Sequence, residues 1–95
     1  MNNICYLSYD ELYLLSLKAK KTKSIIGKPQ FCRIDFKESI EEVSLFMDDC
    51  TWAGYYVFDL IFYDYLSLNV AAEKLCIKIE LAEQSLDAFC NFVRS

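Results

Sequence analysis

The chain has 95 residues, two of them glycine and one proline, and 55% of its residues are hydrophobic. This length and composition exclude a disordered, collagen-like or multidomain protein and predict a single domain over residues 1–95, with more apolar residues than the roughly 45–50% usual for soluble domains. The net charge of −4 argues against nucleic acid as the main partner, and the absence of histidine removes the commonest general base and the commonest metal ligand.

The first helix is predicted over residues 9–20. Ser8 and Glu11 have the S-x-x-E spacing of a capping box, and Leu7 and Leu12 lie where a hydrophobic staple would hold the entry of the helix. A cluster of lysines without intervening acids begins near the end of this helix: Lys18, Lys20, Lys21, Lys23 and Lys28. Because cations near a helix C-terminus complement its dipole, a structural role for this cluster is favoured over phosphate binding.

Residues 24–36 are the least helical part of the sequence, because Gly27 and Pro29 interrupt it. The apolar residues of this segment predict either a short extended segment, with one strand pair near residues 31–36, or a loop attached to the core: Phe31, Ile34 and Phe36.

A second helix is predicted over residues 40–50. Ser39 and Glu42 repeat the capping-box spacing, and the apolar residues recur at helical intervals: Ile40, Val43, Phe46, Met47 and Cys50. The pattern allows this helix to stop at Thr51 or to continue through Gly54, since one glycine costs a helix only about 1 kcal/mol.

Residues 52–68 form a densely apolar and aromatic run that is predicted to be helical. Helical geometry places its more polar residues on one stripe: Trp52, Tyr56, Asp59, Tyr63 and Ser67. The alternative is a strand, but a strand would place Asp64 on its apolar face, and the run is long and poor in β-branched residues. In a helix, Asp59 and Tyr63 are one turn apart and can form a hydrogen bond, whereas Asp64 lies on another face. The two carboxylates therefore indicate a polar seam or an interface contact.

The last segment is predicted to be one helix over residues 70–94, with Asn69 as its N-cap. Its apolar residues follow a helical stripe, which Cys76 and Cys90 widen: Ala72, Leu75, Ile79, Ala82, Leu86, Phe89 and Val93. A local strand over residues 75–81 is the alternative, but it discards the longer pattern. The fold class is therefore mainly α, a compact small domain of about four helices with or without one short strand pair near residues 31–36.

The sequence contains no recognisable catalytic, cofactor-binding or metal-binding site, and we expect a protein that is not an enzyme. Asp48 and Asp49 point about 100° apart on a helix, which indicates a solvated helix end rather than a paired acid and base. The five cysteines include no C-x-x-C pair and are interpreted as buried small hydrophobes in a reducing compartment: Cys5, Cys32, Cys50, Cys76 and Cys90.

The aromatic run supplies the candidate partner-binding residues. The chain has seven tyrosines and seven phenylalanines, and so small a core cannot satisfy every buried hydroxyl. The candidates are Trp52, Tyr55, Tyr56, Asp59, Tyr63 and Tyr65. The other interpretation, in which these tyrosines line the rim of the core with hydrated hydroxyls, remains open at this point. The stripe of the last helix is a candidate for self-association.

The tripeptide Trp52-Ala53-Gly54, near the middle of the chain and ahead of a long amphipathic helix, resembles the W-x-G turn of the small helical-hairpin proteins of type VII secretion. Tyr55 and Asp59 resemble the Y-x-x-x-D export signal of that family. The resemblance implies a bend at the tripeptide, association with a second hairpin, and a role as a secretion partner, accessory protein or chaperone. It covers mainly residues 50–93.

The expected function is a small protein-binding adaptor, chaperone or secretion partner that covers apolar surface on another protein. The alternative is an inhibitor, either a toxin-immunity protein or a phage anti-defence protein, whose acidic face engages a basic site by charge complementarity: Glu41, Glu42, Asp48 and Asp49. No signal peptide and no long uncharged run are recognisable, so we expect a cytoplasmic protein that spans no membrane, with export in complex without a signal peptide as a further option.

Overall fold

A computed structural model of the chain describes Leu7, Ser8, Glu11 and residues 33–94, apart from the side chain of Asp35. The described helices are α1 (Arg33–Val43), a short 3-10 helix (Ser44–Phe46), α2 (Asp49–Asp64), α3 (Leu68–Lys74) and α4 (Ile79–Arg94). No strand occurs among these residues, and the predicted mainly-α class is confirmed.

The predicted capping box at the start of the chain is present. The backbone N–H of Ser8 donates to the Glu11 carboxylate over 2.8 Å, and the backbone N–H of Glu11 donates to the Ser8 hydroxyl over 3.2 Å. Glu11 is helical and also accepts from Arg94 at the far end of the chain. The rest of the predicted helix over residues 9–20, including Leu12 of the staple, lies outside the described residues, as does the lysine cluster.

Helix α1 corrects the prediction of an extended segment near residues 31–36 for the part that the structure describes. Ile34 and Phe36 both lie in this helix, while Phe31 is outside the described residues. A strand would place Ile34 and Phe36 on one face, yet Ile34 is 69% exposed and Phe36 is completely buried. The helical spacing of Phe36, Ile40 and Val43 buries all three on one face, and this burial outweighs the local turn signals.

The second helix was predicted with the wrong limits. Helix α1 starts earlier than residue 40, ends at Val43, and is separated from α2 by the 3-10 helix and an extended Met47. Ser39 is buried within α1 and begins no helix. The helix start lies instead at Asp48, whose carboxylate accepts from the backbone N–H of Thr51 over 2.8 Å. A side chain that satisfies an N-terminal N–H in this way begins a new helix rather than extending the preceding one.

Helix α2 confirms the helical prediction for residues 52–64 of the aromatic run and continues without a break through Gly54, whereas residues 65–67 lie outside any helix. The helix ends at Asp64, and Tyr65 after it adopts a left-handed backbone conformation with φ of 58°. α2 packs most extensively on α4. At their contact an added Cβ on Gly54 would lie 1.8 Å from the carbonyl oxygen of Ser85 and 2.7 Å from the Cβ of Phe89. Gly54 therefore permits close approach of the two helices and makes no turn.

The predicted single helix over residues 70–94 is two helices in the structure. Ser67, not Asn69, caps α3, since its hydroxyl accepts from the backbone N–H of Val70 over 3.2 Å. α3 ends where the backbone N–H of Ile77 donates to the carbonyl of Ala72 over 3.0 Å, and Cys76 between them has a left-handed φ of 59°. This is the Schellman motif, which usually has glycine at the left-handed position. It ends α3 although the apolar stripe of the sequence continues beyond it.

The core lies where α1, α2 and α4 meet around a cluster of rings. Phe36 of α1 lies 5.3 Å from Phe58 of α2, and Phe58 lies 5.6 Å from Phe89 of α4, both measured between ring centroids. Most of the predicted C-terminal stripe faces this core, and its buried members in α4 are Ala82, Leu86, Phe89, Cys90 and Val93. The apolar stripe of the last helix is therefore largely used within the chain.

Candidate protein-interaction site

Arg33 connects the start of α1 to α2 through two carboxylates. Its guanidinium donates to Asp59 over 3.0 Å through Nε and to Asp64 over 2.9 Å through both terminal nitrogens. It also lies 5.7 Å from the centre of the Tyr63 ring. These hydrogen bonds from Arg33 lower the pKa of Asp64, and those to Asp59 and then Asp64 raise the pKa of Arg33. Asp59 and Asp64 were predicted to lie on different faces of the helix, but both bind the guanidinium of Arg33.

Tyr55 is a core residue with a polar edge. It is 5% exposed and its ring lies 5.8 Å from that of Phe36. Burial, followed by the negative charge of Asp59, raises the pKa of Tyr55 to about 12. Its ring is thus part of the packing between α1 and α2.

An open groove lies between α1 and α2 beside this tyrosine. We call it the α1–α2 groove, and its lining residues are Arg33, Ile34, Lys37, Tyr55, Tyr56 and Asp59. Ile34 and Tyr56 are 69% and 50% exposed. Trp52 is half-buried and stacks on Tyr56 at a ring separation of 6.0 Å. The groove therefore presents apolar side chains beside Lys37 and the ion pair between Arg33 and Asp59.

The predicted partner-binding residues are divided by the structure. Tyr55, Tyr56 and Asp59 line the α1–α2 groove and Trp52 adjoins it. Tyr63 is half-buried and packs against the Phe36 ring at 5.9 Å, whereas Tyr65 lies exposed beyond the end of α2. The hydrogen bond considered between Asp59 and Tyr63 is replaced in the fold by the interactions that both make with Arg33.

A second exposed surface, absent from the predicted site, lies in the 3-10 helix. Leu45 and Phe46 are 91% and 79% exposed. Phe46 was predicted on the apolar face of a longer helix, which is wrong because the helix ends at Val43 and the chain turns. Four exposed acidic residues lie two to four positions from this pair in the chain: Glu41, Glu42, Asp48 and Asp49. We call this surface, Leu45 and Phe46 with these four carboxylates, the acidic corner.

The described cysteines are free thiols in three different environments. Cys90 is buried, Cys50 is half-buried with its sulfur 3.7 Å from the Ser85 hydroxyl, and Cys76 is exposed. The prediction of uniformly buried cysteines is therefore wrong for Cys76, because the left-handed turn places it at the surface. Cys5 and Cys32 lie outside the described residues.

Neither a metal cluster nor a membrane-crossing helix is found in the part of the chain that the structure describes. Its Cys, Asp and Glu side chains nowhere form a group of three able to hold a metal ion. None of its helices is both long and apolar enough to cross a membrane.

The resemblance to the hairpin proteins of type VII secretion can be compared with this geometry. Trp52-Ala53-Gly54 lies inside α2, so the implied bend is absent at that position. The Tyr55 ring is buried and Asp59 is held by Arg33, so both residues of the export-signal pattern have intramolecular contacts.

Comparison of the chain with protein-family models, curated proteins and solved structures gives no match.

Proposed function

We propose that this protein acts by binding another protein, as a small adaptor, chaperone or secretion partner, through the α1–α2 groove. The observation that carries the proposal is the exposure of Ile34 and Tyr56 on either side of that groove. Apolar side chains that line a concavity are typical anchors for a segment of a partner, and tyrosine is enriched among the residues that dominate binding energy.

The contacts that hold several groove residues in place support the same function. Arg33 is held by Asp59 and Asp64, Tyr55 is packed in the core, and Trp52 stacks on Tyr56. A preformed surface loses little conformational entropy when it binds, so a larger part of the contact energy appears as affinity. Lys37 at the rim would favour a partner segment that carries an acid beside its apolar residues.

Co-purification from the native host tests this proposal. The tagged chain carrying Ile34→Ser and Tyr56→Ser is compared with the wild type and with Leu81→Ser, which removes an exposed leucine on α4 away from the groove. We expect the double variant to lose a partner about tenfold and the Leu81→Ser control to retain it. Equal recovery of every partner by all three proteins, with unchanged circular dichroism, would contradict the groove as the binding site.

An inhibitor that binds a basic site is the second candidate function, and the acidic corner favours it. Residues 33–94 carry five Lys and Arg against twelve Asp and Glu, a formal net charge of −7. Salt separates the two functions, because screening weakens a contact between opposite charges much more than an apolar one. Recovery of the partner that falls steeply with salt supports the inhibitor, and recovery that is insensitive to salt supports the adaptor.

A further inference from the structure

The acidic corner holds Leu45 and Phe46 outward from a well-anchored turn. Val43 before them and Met47 after them are buried, while the 3-10 helix itself contains no buried residue. The backbone N–H of Met47 donates to the carbonyl of Ser44 over 3.0 Å, and the Ser44 hydroxyl donates to the carbonyl of Glu41 over 2.9 Å. The two side chains are therefore displayed by an ordered backbone and have no packing role of their own.

The charged residues nearest to this pair in the chain are all acidic. Glu41 and Glu42 precede it, Asp48 and Asp49 follow it, and no Lys or Arg occurs between Lys37 and Lys74. None of the four carboxylates belongs to a residue more than four positions from the pair, which keeps every Cα within about 14 Å of it. Exposed apolar side chains surrounded by carboxylates are complementary to an apolar pocket on a partner that is surrounded by Lys or Arg.

We propose that the acidic corner is a docking surface for a basic protein surface, in which an apolar socket takes Leu45 and Phe46 and surrounding Lys or Arg residues pair with Glu41, Asp48 and Asp49. The proposal rests on the protein-binding function above and specifies the partner for its inhibitor form. It adds Leu45 and Phe46 as the apolar contact residues, which the charge pattern of the sequence does not identify.

Other occupants are disfavoured by the same charges. A symmetric contact with a second copy places the same acidic patch against itself, so that like charges face each other. The phosphates of a nucleic acid and the headgroups of an anionic bilayer would also be repelled.

Peptide titration of the isotope-labelled full chain, followed by amide resonances in NMR, tests the proposal. Three synthetic amphipathic helices are used: one with a Leu/Phe face and a Lys/Arg rim, one with the same face and a Glu rim, and one with the Lys/Arg rim and a serine face. We expect only the first peptide to shift resonances of residues 41–49. Leu45→Ser with Phe46→Ser should weaken its binding about tenfold, and Leu81→Ser should leave its binding unchanged.

Several results would overturn the docking surface. These are no shift at residues 41–49 with about 1 mM of the cationic peptide, equal binding of the peptide with the Glu rim, or equal binding by the Leu45→Ser and Phe46→Ser variant. Shifts at residues 41–49 that depend on protein concentration without peptide would identify a second copy instead. Shifts confined to the α1–α2 groove would contradict the corner and leave the protein-binding function standing, whereas that function fails separately if co-purification yields no partner.

Discussion

Arg33 is the residue that most directly couples the start of α1 to α2, and its removal should alter the acid stability of the fold. Asp64 has a pKa lowered chiefly by its hydrogen bonds with Arg33. A carboxyl with a lowered folded pKa contributes stability above its unfolded value near 3.8, and that contribution is lost as the pH falls through the folded value. We therefore expect Arg33→Met to be less stable than the wild type at neutral pH and to lose less stability on acidification.

Urea denaturation at a series of pH values between about 2 and 7 measures this effect. Arg33→Lys is the matched control, because it keeps the charge and loses the planar group that binds both carboxylates, and it should be intermediate at neutral pH. Some acid sensitivity should remain in all variants, since the pKa of Asp48 and that of Glu11 are also lowered. Identical pH profiles for the wild type and Arg33→Met would contradict this role of the ion pair.

Replacement of Gly54 by alanine should destabilise the fold, although Gly54 lies within a helix. Gly→Ala in an exposed helix interior usually stabilises by about 1 kcal/mol. Here the new Cβ would meet the backbone of Ser85, which cannot rotate away, so α2 and α4 must separate. We expect Gly54→Ala to lower the free energy of unfolding by about 1–3 kcal/mol or more.

Chemical denaturation of Gly54→Ala beside Ala53→Gly checks this expectation. The control variant reports the loss of helix propensity at the neighbouring half-buried position, about 1 kcal/mol. A Gly54→Ala protein as stable as the wild type would show that α2 and α4 do not approach as closely as the structure has them.

The elements show where local patterns suffice and where they fail. The helical nature of the aromatic run and the apolar face of α4 follow from periodicity, because burial acts on whole turns. Ser8 with Glu11 forms a real capping box, but Ser39 with Glu42 has the same spacing in the interior of α1. Spacing alone does not distinguish the two cases. Whether Ser39 begins a helix depends on whether Phe36, three residues earlier, is buried as part of the same helix.

The candidate site was predictable only in part for the same reason. Tyr56 and Asp59 were identified from the composition of their own helix, whereas Arg33 binds carboxylates 26 and 31 positions away. No local pattern encodes such a pairing. The exposure of Phe46 was also not predicted. Its spacing from Val43 places it on the buried face only if the helix continues beyond Val43, where it ends.

The break between α3 and α4 gives a prediction at the scale of elements. Cys76 occupies a left-handed position where glycine has no steric penalty and a β-branched residue has a large one. We expect Cys76→Gly to leave the free energy of unfolding unchanged or raise it by up to about 1 kcal/mol, and Cys76→Val to lower it by about 1–2 kcal/mol.

Urea denaturation of these two variants beside Gln84→Gly provides the comparison. Gln84 is exposed in the interior of α4, so glycine there should cost about 0.5–1 kcal/mol. If Cys76→Gly destabilises as much as Gln84→Gly does, Cys76 belongs to a continuous helix and the division of α3 from α4 is wrong.

At the scale of the whole molecule, the core and the exposed apolar surfaces are built from different residues. The rings of Phe36, Phe58 and Phe89 stabilise the helical body. Ile34 and the Leu45–Phe46 pair are largely exposed and Tyr56 is half exposed, so these residues contribute less to it. Under the proposed protein-binding function, these exposed apolar residues contact a partner. Their replacement should therefore impair binding while leaving the fold intact.

Photocrosslinking in cells of the native host tests whether these exposed apolar residues contact another protein. A photoreactive amino acid is placed at Tyr56 in the α1–α2 groove, at Phe46 in the acidic corner, or at Gln84, an exposed control position on α4. We expect that a different protein is crosslinked at position 56 or 46 and that position 84 gives little product. Equal crosslinking at all three positions, or products that contain only copies of this chain, would contradict this expectation.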